Sequence, residues 1–503
     1  SGTAHVYGIT FCTNAAFTLT AADANAKVVV GEGGFLFTNT AAASVTHVLD
    51  VPVEVGTLPQ MWCVATNTQL SLTAPLIGRQ ALNPLTINCR GRVQFRADNS
   101  GLLTPLVLTN VTTATQPYVY DMKGLGAKSR YTTCWGALPR FITDAPQGGS
   151  LTNETPLRLH SGLTNTEGAY MNSSANAKLY MAGKVAFFWT PAAGQSETYF
   201  HGEVHFIGGV TNESGRATCW RIVSNNIWIE GDGFKSSHYL IIDYGGTVHI
   251  ASPSNNWSLL NPYKNTVKCH GANVLAKGQP VRMSDNNTYY HSSAAALDLN
   301  GYDQSISRIY AGWQFASWPD LYTTLKSETP AMLEIATDTA YNDIVPLKVT
   351  GAAGLKFNAA GSLTFTNFTS ATTGTLEVDR GTVRFARGSG WTATTNVVLA
   401  GGTLAVAPGA GATAFGSTQD VSAALLTVVS TNSPTLSIAA GERPSVDMLA
   451  VVEEGGKVKW KDPGVYGGPD AGLSASRTVD WISGSGTLRV RHGISGGTML
   501  IVR

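Results

Sequence analysis

Short runs in which apolar and polar residues alternate recur along the whole chain, and many of them follow a glycine. The pattern is clearest in GTLEVDRGTVRFARG, residues 374–388, where Gly-Thr-Leu-Glu-Val is followed by Gly-Thr-Val-Arg-Phe. Successive side chains of a β-strand point to opposite faces, so Val383 and Phe385 are expected to point inward, with Arg384 between them facing solvent. The alternation predicts short β-strands.

The spacing of the glycine-led unit indicates how these strands are arranged. Gly183 and Gly202 are 19 residues apart, Gly361 and Gly381 are 20 apart, and Gly381 and Gly402 are 21 apart. A recurrence near 20 residues is typical of a β-solenoid, in which each coil buries its apolar face against the next. Coils of about 20–25 residues would give about twenty coils. Two or three antiparallel β-sandwiches in tandem would also give short strands, but they do not predict this recurrence.

We therefore expect an all-β parallel β-helix that forms a single elongated domain. Residues 1–340 are predicted to be β-helix with long loop excursions at about 110–340, and residues 341–503 to be regular repeats continuous with it. Loops that leave a solenoid often carry its specificity.

One segment within the excursions has the features of a helix. Trp313 to Met332 includes Pro319 and Asp320, which favour a helix start, and apolar residues at Leu321 and Leu325 that would share one helix face. The sequence predicts a helix there.

Composition agrees with an all-β chain and excludes some partners. Only 13% of the 503 residues are charged and 54 are glycine, which leaves too few strong helix formers for a mainly helical protein. Lys and Arg total 34 and Asp and Glu total 33, so no net field attracts polyanions, and we expect no nucleic-acid partner. Apolar runs are too short for a membrane-spanning helix, so we expect no membrane span.

The first residues and the cysteines bear on the compartment. The chain starts without the basic and apolar regions of a signal peptide, and its low charge suits secretion, so we expect that a signal peptide has been removed. An even number of cysteines allows three disulfides, but buried free thiols are an equal alternative. The six cysteines are Cys12, Cys63, Cys89, Cys134, Cys219 and Cys269.

A family resemblance is carried by residues 290–410. LDLNGYDQSISRI, residues 297–309, closely resembles the autotransporter-associated β-strand repeat, in which a Leu-x-Leu-Asn-Gly strand and turn precede a Gln-Ser/Thr-Ile strand. GLKFNAAGSLTFTN and TGTLEVDRGTVRF are similar to the other half of that unit. The resemblance implies a right-handed parallel β-helix that is exported and displayed on, or shed from, a bacterial surface. We expect a passenger-like part, a cleaved product, or a protein exported by another route.

The β-helix fold also carries polysaccharide lyases and glycoside hydrolases, so we searched for catalytic residues. The sequence has no His-Glu-x-x-His or Gly-Lys-Ser/Thr motif. The best acid–base candidates lie in residues 227–250, and a spacing near 20 would place Glu230 beside His249 or above Glu203. The alternative is that these are solvent-facing polar residues. The candidates in this region are Glu230, Asp232, Lys235, His238, Asp243 and His249.

An aromatic cluster near residue 315 also has two interpretations. Exposed rings there could stack on sugar faces, with Trp313 and Trp318 as the candidate glycan-binding residues; buried rings would instead anchor the excursion against the coils. The cluster comprises Tyr310, Trp313, Phe315, Trp318 and Tyr322.

These observations favour an exported, non-catalytic structural or adhesive protein at a bacterial cell surface or outside the cell. We expect no cofactor and no metal. Self-association, end to end or side by side, and glycans are the expected partners, and the apolar end TMLIVR is predicted to pair with another chain or with further sequence. The alternative is a polysaccharide lyase, glycoside hydrolase or glycan-binding protein on a β-helix scaffold.

Overall fold

The chain is nearly all β, and its parallel strands stack as a β-solenoid of about 15 turns. This architecture confirms the predicted parallel β-helix and excludes tandem antiparallel sandwiches. The structure is a computed structural model that describes residues 2–79, 82–112, 114–136, 139–142, 149–161, 169–172, 178–189, 196–213, 218–222, 226–243, 245–263, 265–283, 295–311, 323–366, 369–392, 396–411, 414–415 and 425–493.

Internal contacts divide the chain into an N-terminal unit, Ser1–Ser258, and a C-terminal unit, Leu259–Arg503. The strands of the N-terminal unit are β1 (Thr3–Cys12), β2 (Phe17–Thr20), β3 (Lys27–Thr38), β4 (Val45–Asp50), β5 (Val53–Val55), β6 (Gln60–Val64), β7 (Thr68–Leu72), β8 (Leu76–Gly78), β9 (Leu85–Cys89), β10 (Arg92–Phe95), β11 (Leu106–Val111), β12 (Tyr118–Val119), β13 (Thr132–Gly136), β14 (Arg140–Phe141), β15 (Ser150–Asn153), β16 (Leu157–Ser161), β17 (Ala169–Asn172), β18 (Lys178–Met181), β19 (Val185–Trp189), β20 (Ser196–His201), β21 (Glu203–Phe206), β22 (Val210–Asn212), β23 (Thr218–Ile222), β24 (Asn226–Ile229), β25 (Phe234–Ser236), β26 (Tyr239–Asp243) and β27 (Thr247–Ile250).

The C-terminal unit continues the numbering and also holds three short 3₁₀ helices, at Ser430–Asn432, Glu454–Gly456 and Pro469–Ser474, among its described residues. Its strands are β28 (Leu259–Asn261), β29 (Thr266–Cys269), β30 (Pro280–Arg282), β31 (Ala296–Asp298), β32 (Gln304–Ile306), β33 (Arg308–Tyr310), β34 (Thr323–Thr337), β35 (Asn342–Val345), β36 (Leu347–Phe365), β37 (Thr369–Thr372), β38 (Leu376–Phe385), β39 (Gly390–Thr392), β40 (Asn396–Leu399), β41 (Thr403–Val406), β42 (Leu425–Val429), β43 (Thr435–Ile438), β44 (Ser445–Val446), β45 (Met448–Val452), β46 (Val458–Trp460), β47 (Gly464–Gly467), β48 (Arg477–Thr478), β49 (Ile482–Ser483) and β50 (Thr487–Val490).

Coils of the N-terminal unit place one strand in each of several parallel sheets. Sheet A begins with β1 and β3 and continues through β5, β6, β8, β9, β11, β13, β16, β19, β22 and β25, while sheet B contains β2, β4, β7, β10, β12 and β14. From β15 onward each coil has three faces, because β15, β18, β21, β24 and β27 form sheet C and β17, β20, β23 and β26 form sheet D. One such coil is β18, β19 and β20 in succession.

Rows of buried side chains run from coil to coil and form the core. Fully burying one Leu, Val or Phe contributes about 1.5–3 kcal/mol, and stacking supplies the burial that a single coil lacks. One row of the N-terminal unit joins Leu85, Leu106, Thr132, Leu157, Val185, Val210 and Phe234, each at most 1% exposed. One row of the C-terminal unit joins Ile306, Ile335, Phe357, Val378, Leu399 and Val428.

The doubled sequence GTLEVDRGTVRF forms two faces of one coil. β38 carries both halves and bends at Gly381, whose φ is 73°. In the second half Val383 and Phe385 are fully buried and Arg384 is exposed, as the alternation predicts. Val383 pairs with Leu363 of the preceding coil and with Leu404 of the next.

The spacing of the glycine unit marks true coils in only part of the chain. The strands that follow Gly361, Gly381 and Gly402 lie in register, which confirms this part of the repeat. The spacing from Gly183 to Gly202 was misread as a coil, because the strand after Gly183 is β19 in sheet A and the strand after Gly202 is β21 in sheet C. In that region a true coil is longer: the residue paired with Glu203 is Lys178, 25 positions earlier. Longer coils explain why there are fewer than the predicted twenty.

Parallel stacking gives way to antiparallel pairing near residue 450. Within the C-terminal unit's described strands, β46 pairs antiparallel with β45, and β47 pairs antiparallel with β50. Because β42 occupies one edge of β45, β46 covers the other edge with a hairpin instead of a further coil. The segment TMLIVR lies outside the described residues.

The helix predicted for Trp313–Met332 is wrong where the structure describes it. Residues 323–337 form the long strand β34, in which Leu325 is buried and pairs with Leu297 and Val349. Residues 312–322 lie outside the described residues. A strand forms here because stacking between two neighbouring coils stabilises it more than the local helix propensity of the sequence stabilises a helix.

The side chains of five of the six cysteines are described, and all five are free thiols: Cys12, Cys63, Cys89, Cys134 and Cys269. Three disulfides therefore do not form in this structure. Burial raises the pKa of the Cys89 thiol to about 12 and raises the pKa values of Cys134 and Cys269 further, so these three are inert apolar core residues.

Candidate functional site: a histidine between two glutamates

Four outward-facing aromatic residues align on sheet C of the N-terminal unit. The strands β18, β21, β24 and β27 are stacked in parallel, and their inward side chains Leu179, Val204, Ile227 and Val248 are fully buried. Alternation then directs the residues next to them outward. The register aligns Tyr180, His205, Trp228 and His249, which we call the ring ladder.

The rings of the ladder stack face to face. Tyr180 and His205 have centroids 4.5 Å apart, His205 and Trp228 are 5.4 Å apart and inclined by 4°, and Trp228 and His249 are 4.0 Å apart and inclined by 7°. The strand spacing of a parallel sheet, about 4.8 Å, imposes these separations. Both faces of His205 and of Trp228 are therefore covered by neighbouring rings.

Carboxylates approach the edge of the His205 ring from two sides. Its Nε2 lies 2.8 Å from Oε1 of Glu203, on the same strand, and its Nδ1 lies 3.3 Å from Oε2 of Glu230, which follows β24. Lys178 Nζ lies 3.2 Å from the same Oε1 atom of Glu203. Only 8% of the His205 side chain is exposed, so the imidazole is held by its neighbours on every side.

Hydrogen bonds from its neighbours favour the ionised form of Glu203. Burial raises the pKa of this carboxyl, but hydrogen bonds from His205 and Lys178 outweigh burial and leave the pKa below its ordinary value. A carboxylate can only accept hydrogen bonds, and only the protonated imidazole has two N–H groups to donate to both glutamates. The cluster thus combines an imidazole with two carboxylates, which are the groups that acid–base chemistry uses.

The structure brings together some of the predicted acid–base residues and separates others. Glu230 joins Glu203 through His205, and His249 stacks on Trp228 rather than contacting Glu230. Asp232 is exposed in the turn after β24, and Lys235 is exposed and bonds to the carbonyl of Ser254. The His238 backbone N–H donates to Ser236 Oγ at 2.9 Å. The side chain of Asp243 lies outside the described residues.

His205, the centre of the cluster, was missed by sequence reasoning. A period near 20 residues aligns Glu230 with other positions, whereas the coils here shift from 25 to 23 to 21 residues. Aligning the strand ends KLYM, EVHF, NIWI and TVHI by their inward apolar residues would have found it.

The candidate glycan-binding residues Trp313 and Trp318 lie outside the described residues, as do Phe315 and Tyr322. Tyr310 is described: the Arg308 guanidinium lies 4.2 Å from its ring centroid and 4.3 Å from that of Tyr341. The same guanidinium is bidentate to Asp343, with Nε donating to Oδ2 and Nη2 donating to Oδ1. Tyr310 thus packs against a cation, a contact worth about 0.5–2 kcal/mol.

Metal binding is not supported by this cluster, because the imidazole separates the two carboxylates instead of converging with them on one point. Across the described residues, no group of three His, Cys, Asp or Glu side chains could hold a metal ion.

No protein-family model, curated protein or solved structure matches the chain. The fold is shown by the stacked strands themselves, and the association with autotransporter passengers rests on the sequence motifs alone. Among the helices in the described part of the chain, none combines the length and hydropathy that crossing a membrane requires.

Proposed function

We propose that this chain is an exported, non-catalytic structural or adhesive protein of a bacterial cell surface or extracellular layer. The observation that carries the proposal is the ring ladder with its glutamates, where the side chains best suited to chemistry are bound to one another across coils. A catalytic carboxylate must reach substrate, whereas Glu203 is held by Lys178 and His205. Such cross-links suit a scaffold.

Charged side chains elsewhere serve the same purpose of joining coils. Asp298 lies between Lys268 at 3.9 Å and Lys326 at 3.7 Å, one from each neighbouring coil. Lys356 contacts both Glu377 at 3.0 Å and Asp379 at 2.7 Å on the next coil. Individual pairs of this exposure contribute about 0–1 kcal/mol, so their value lies in repetition along the sheet.

Export and self-association are parts of the proposal that different observations support. Low charge and the resemblance of residues 297–309 to the autotransporter-associated repeat support export. Long parallel sheets with solvent-facing walls support side-by-side association, since one weak contact is repeated by each coil.

A turnover assay tests the non-catalytic part of the proposal. The purified chain would be incubated with plant, algal and host polysaccharides while new reducing ends and unsaturated uronates are measured. We expect no turnover above the buffer control. Saturable turnover that disappears in Glu230→Gln and persists in a matched exposed variant, Glu213→Gln, would establish an enzyme instead.

A polysaccharide lyase or glycoside hydrolase is the second candidate function. One observation favours it: two glutamates and one histidine meet at a single point of sheet C. A base and an acid at such a point are what uronate elimination or glycoside hydrolysis needs. The assay above separates this candidate from the scaffold.

A further inference from the structure

A second site lies at the other end of the N-terminal unit. A cleft of about 490 Å³ lies over β1, β3 and β5 and is bordered by Arg79, just after β8. Its volume is in the range of small-molecule sites, about 300–1,000 Å³. None of its residues belongs to the ring ladder.

Glycines create the hollow. Gly31 and Gly56 line the cleft without a side chain, and the backbone is packed closely at both: a Cβ on Gly31 would lie 3.1 Å from the Tyr7 carbonyl oxygen, and one on Gly56 would lie 2.7 Å from the Val30 carbonyl oxygen. At Gly33 a Cβ would lie 2.8 Å from Cδ1 of Tyr7. The bare backbone of Gly33 therefore allows the Tyr7 ring to lie against it.

Tyr7 differs from the rings of the ladder in being available to a ligand. One side of its ring packs on Gly33, yet the residue is 73% exposed, and the nearby Leu58 is 49% exposed. An exposed ring beside a concave surface with polar groups can stack on a ligand held there. In the ladder, by contrast, both faces of Trp228 are covered.

The polar side of the cleft is charged but nearly balanced. Glu54 is 16% exposed and lies 2.6 Å from Lys27 Nζ and 3.4 Å from Arg79 Nε. The hydrogen bond from Lys27 lowers the pKa of Glu54, so the carboxylate is ionised. Arg79 is 76% exposed and has further N–H donors, and Glu32 adds an exposed acceptor.

We propose that this cleft binds a pyranose unit of an uncharged polysaccharide. A sugar ring has an apolar C–H face that suits the face of Tyr7, and hydroxyls that both donate and accept, which suits Glu32, Glu54 and Arg79. A polyanion is disfavoured because Lys27 and Arg79 are balanced by Glu54 and Glu32. The inference rests on the adhesive role proposed above and identifies its partner and its site.

Binding of uncharged oligosaccharides to the full chain tests the proposal. Cello-, xylo-, malto- and chito-oligosaccharides would be titrated by calorimetry, with oligogalacturonate and alginate as charged counterparts. For the uncharged sugar that binds most tightly, we expect Tyr7→Ala to raise Kd about tenfold and Arg79→Gln to raise it as well. The matched control Tyr239→Ala removes a tyrosine of the same unit that is 47% exposed, and should leave Kd unchanged.

Several results would overturn the proposal. They are the absence of binding to every uncharged sugar, binding of charged sugars alone, binding that survives Tyr7→Ala, and binding that is lost only in Trp313→Ala or Trp318→Ala. Equal thermal midpoints for all variants confirm that each one is folded. The turnover assay measures a different quantity, so failure here leaves the non-catalytic scaffold standing, while turnover would refute the scaffold without testing this cleft.

Discussion

Histidine occupies two opposite environments in the N-terminal unit. His205 has a carboxylate at each ring nitrogen, whereas His47 is fully buried in the core with Phe17, Phe37 and Phe11 around it, at centroid distances of 5.9, 5.9 and 6.5 Å. Within the described residues neither ring nitrogen of His47 has a hydrogen-bond partner. Burial lowers its pKa below the ordinary value of 6.5. His47 therefore makes the core sensitive to acid.

Replacing His47 with phenylalanine should remove this sensitivity. As pH falls below 6.5, the unfolded chain binds a proton at this residue before the folded chain does, so folded stability falls until the lower, folded pKa is reached. The stability advantage of His47→Phe should therefore grow between pH 7 and pH 5, by at most about 1.4 kcal/mol per pH unit. Denaturant midpoints at pH 5, 6, 7 and 8 measure it.

The control for this comparison is His492→Gln, because His492 is exposed and lies outside the core. A stability difference between the wild-type chain and His47→Phe that stays constant from pH 5 to pH 8 would contradict the prediction.

At the scale of one coil, the sequence predicted where strands occur better than it predicted which sheet of the solenoid each strand joins. Strict alternation around Val383 identified the inward residues correctly, because that choice depends only on neighbours in the chain. Whether two glycine-led strands share a face depends on loop lengths, which the repeat from Gly183 to Gly202 did not reveal. For the same reason His205 was missed, since its partners Glu230 and Trp228 are fixed by coil length.

The corner of β38 gives a matched test of why a coil needs glycine. Gly381 and Gly388 both have φ of 73°, but a Cβ at Gly381 would meet the carbonyl oxygens of Ala359 and Gly361, whereas none of the described atoms lies within 4 Å of a Cβ at Gly388. Alanine at Gly388 should cost about 1–2 kcal/mol of unfolding free energy, from the left-handed conformation alone. Alanine at Gly381 should cost about 1–3 kcal/mol more.

Denaturant unfolding of Gly381→Ala and Gly388→Ala side by side measures the difference. Equal losses of unfolding free energy in the two variants would contradict the prediction, because they would show that the neighbouring coils move apart at Gly381 without cost.

For the whole chain, composition and recurrence were sufficient to predict a parallel β-solenoid, because stacking repeats every coil and a weak signal accumulates. Singular features were not predictable in this way. The antiparallel pairings of β46 with β45 and of β47 with β50 interrupt the parallel repeat, and the cleft beside Tyr7 depends on side chains of four different strands and turns. The sequence repeat thus predicts the solenoid, whereas the histidine cluster and the cleft depend on places where the repeat is irregular.

A solenoid should also confine damage to nearby coils, because each coil contacts only its neighbours. In Gly381→Ala, amide hydrogen exchange should rise most in β38 and in its partners β36 and β41, less in β34 and β43, and least in β29 and β31 of the same unit. Exchange measured by mass spectrometry on the wild-type chain, Gly381→Ala and Gly388→Ala resolves this gradient. A core shared by all strands would instead spread the loss evenly over the C-terminal unit, and an even rise would therefore contradict coil-by-coil stability. A graded rise would show that each coil depends on the burial supplied by the coils on either side.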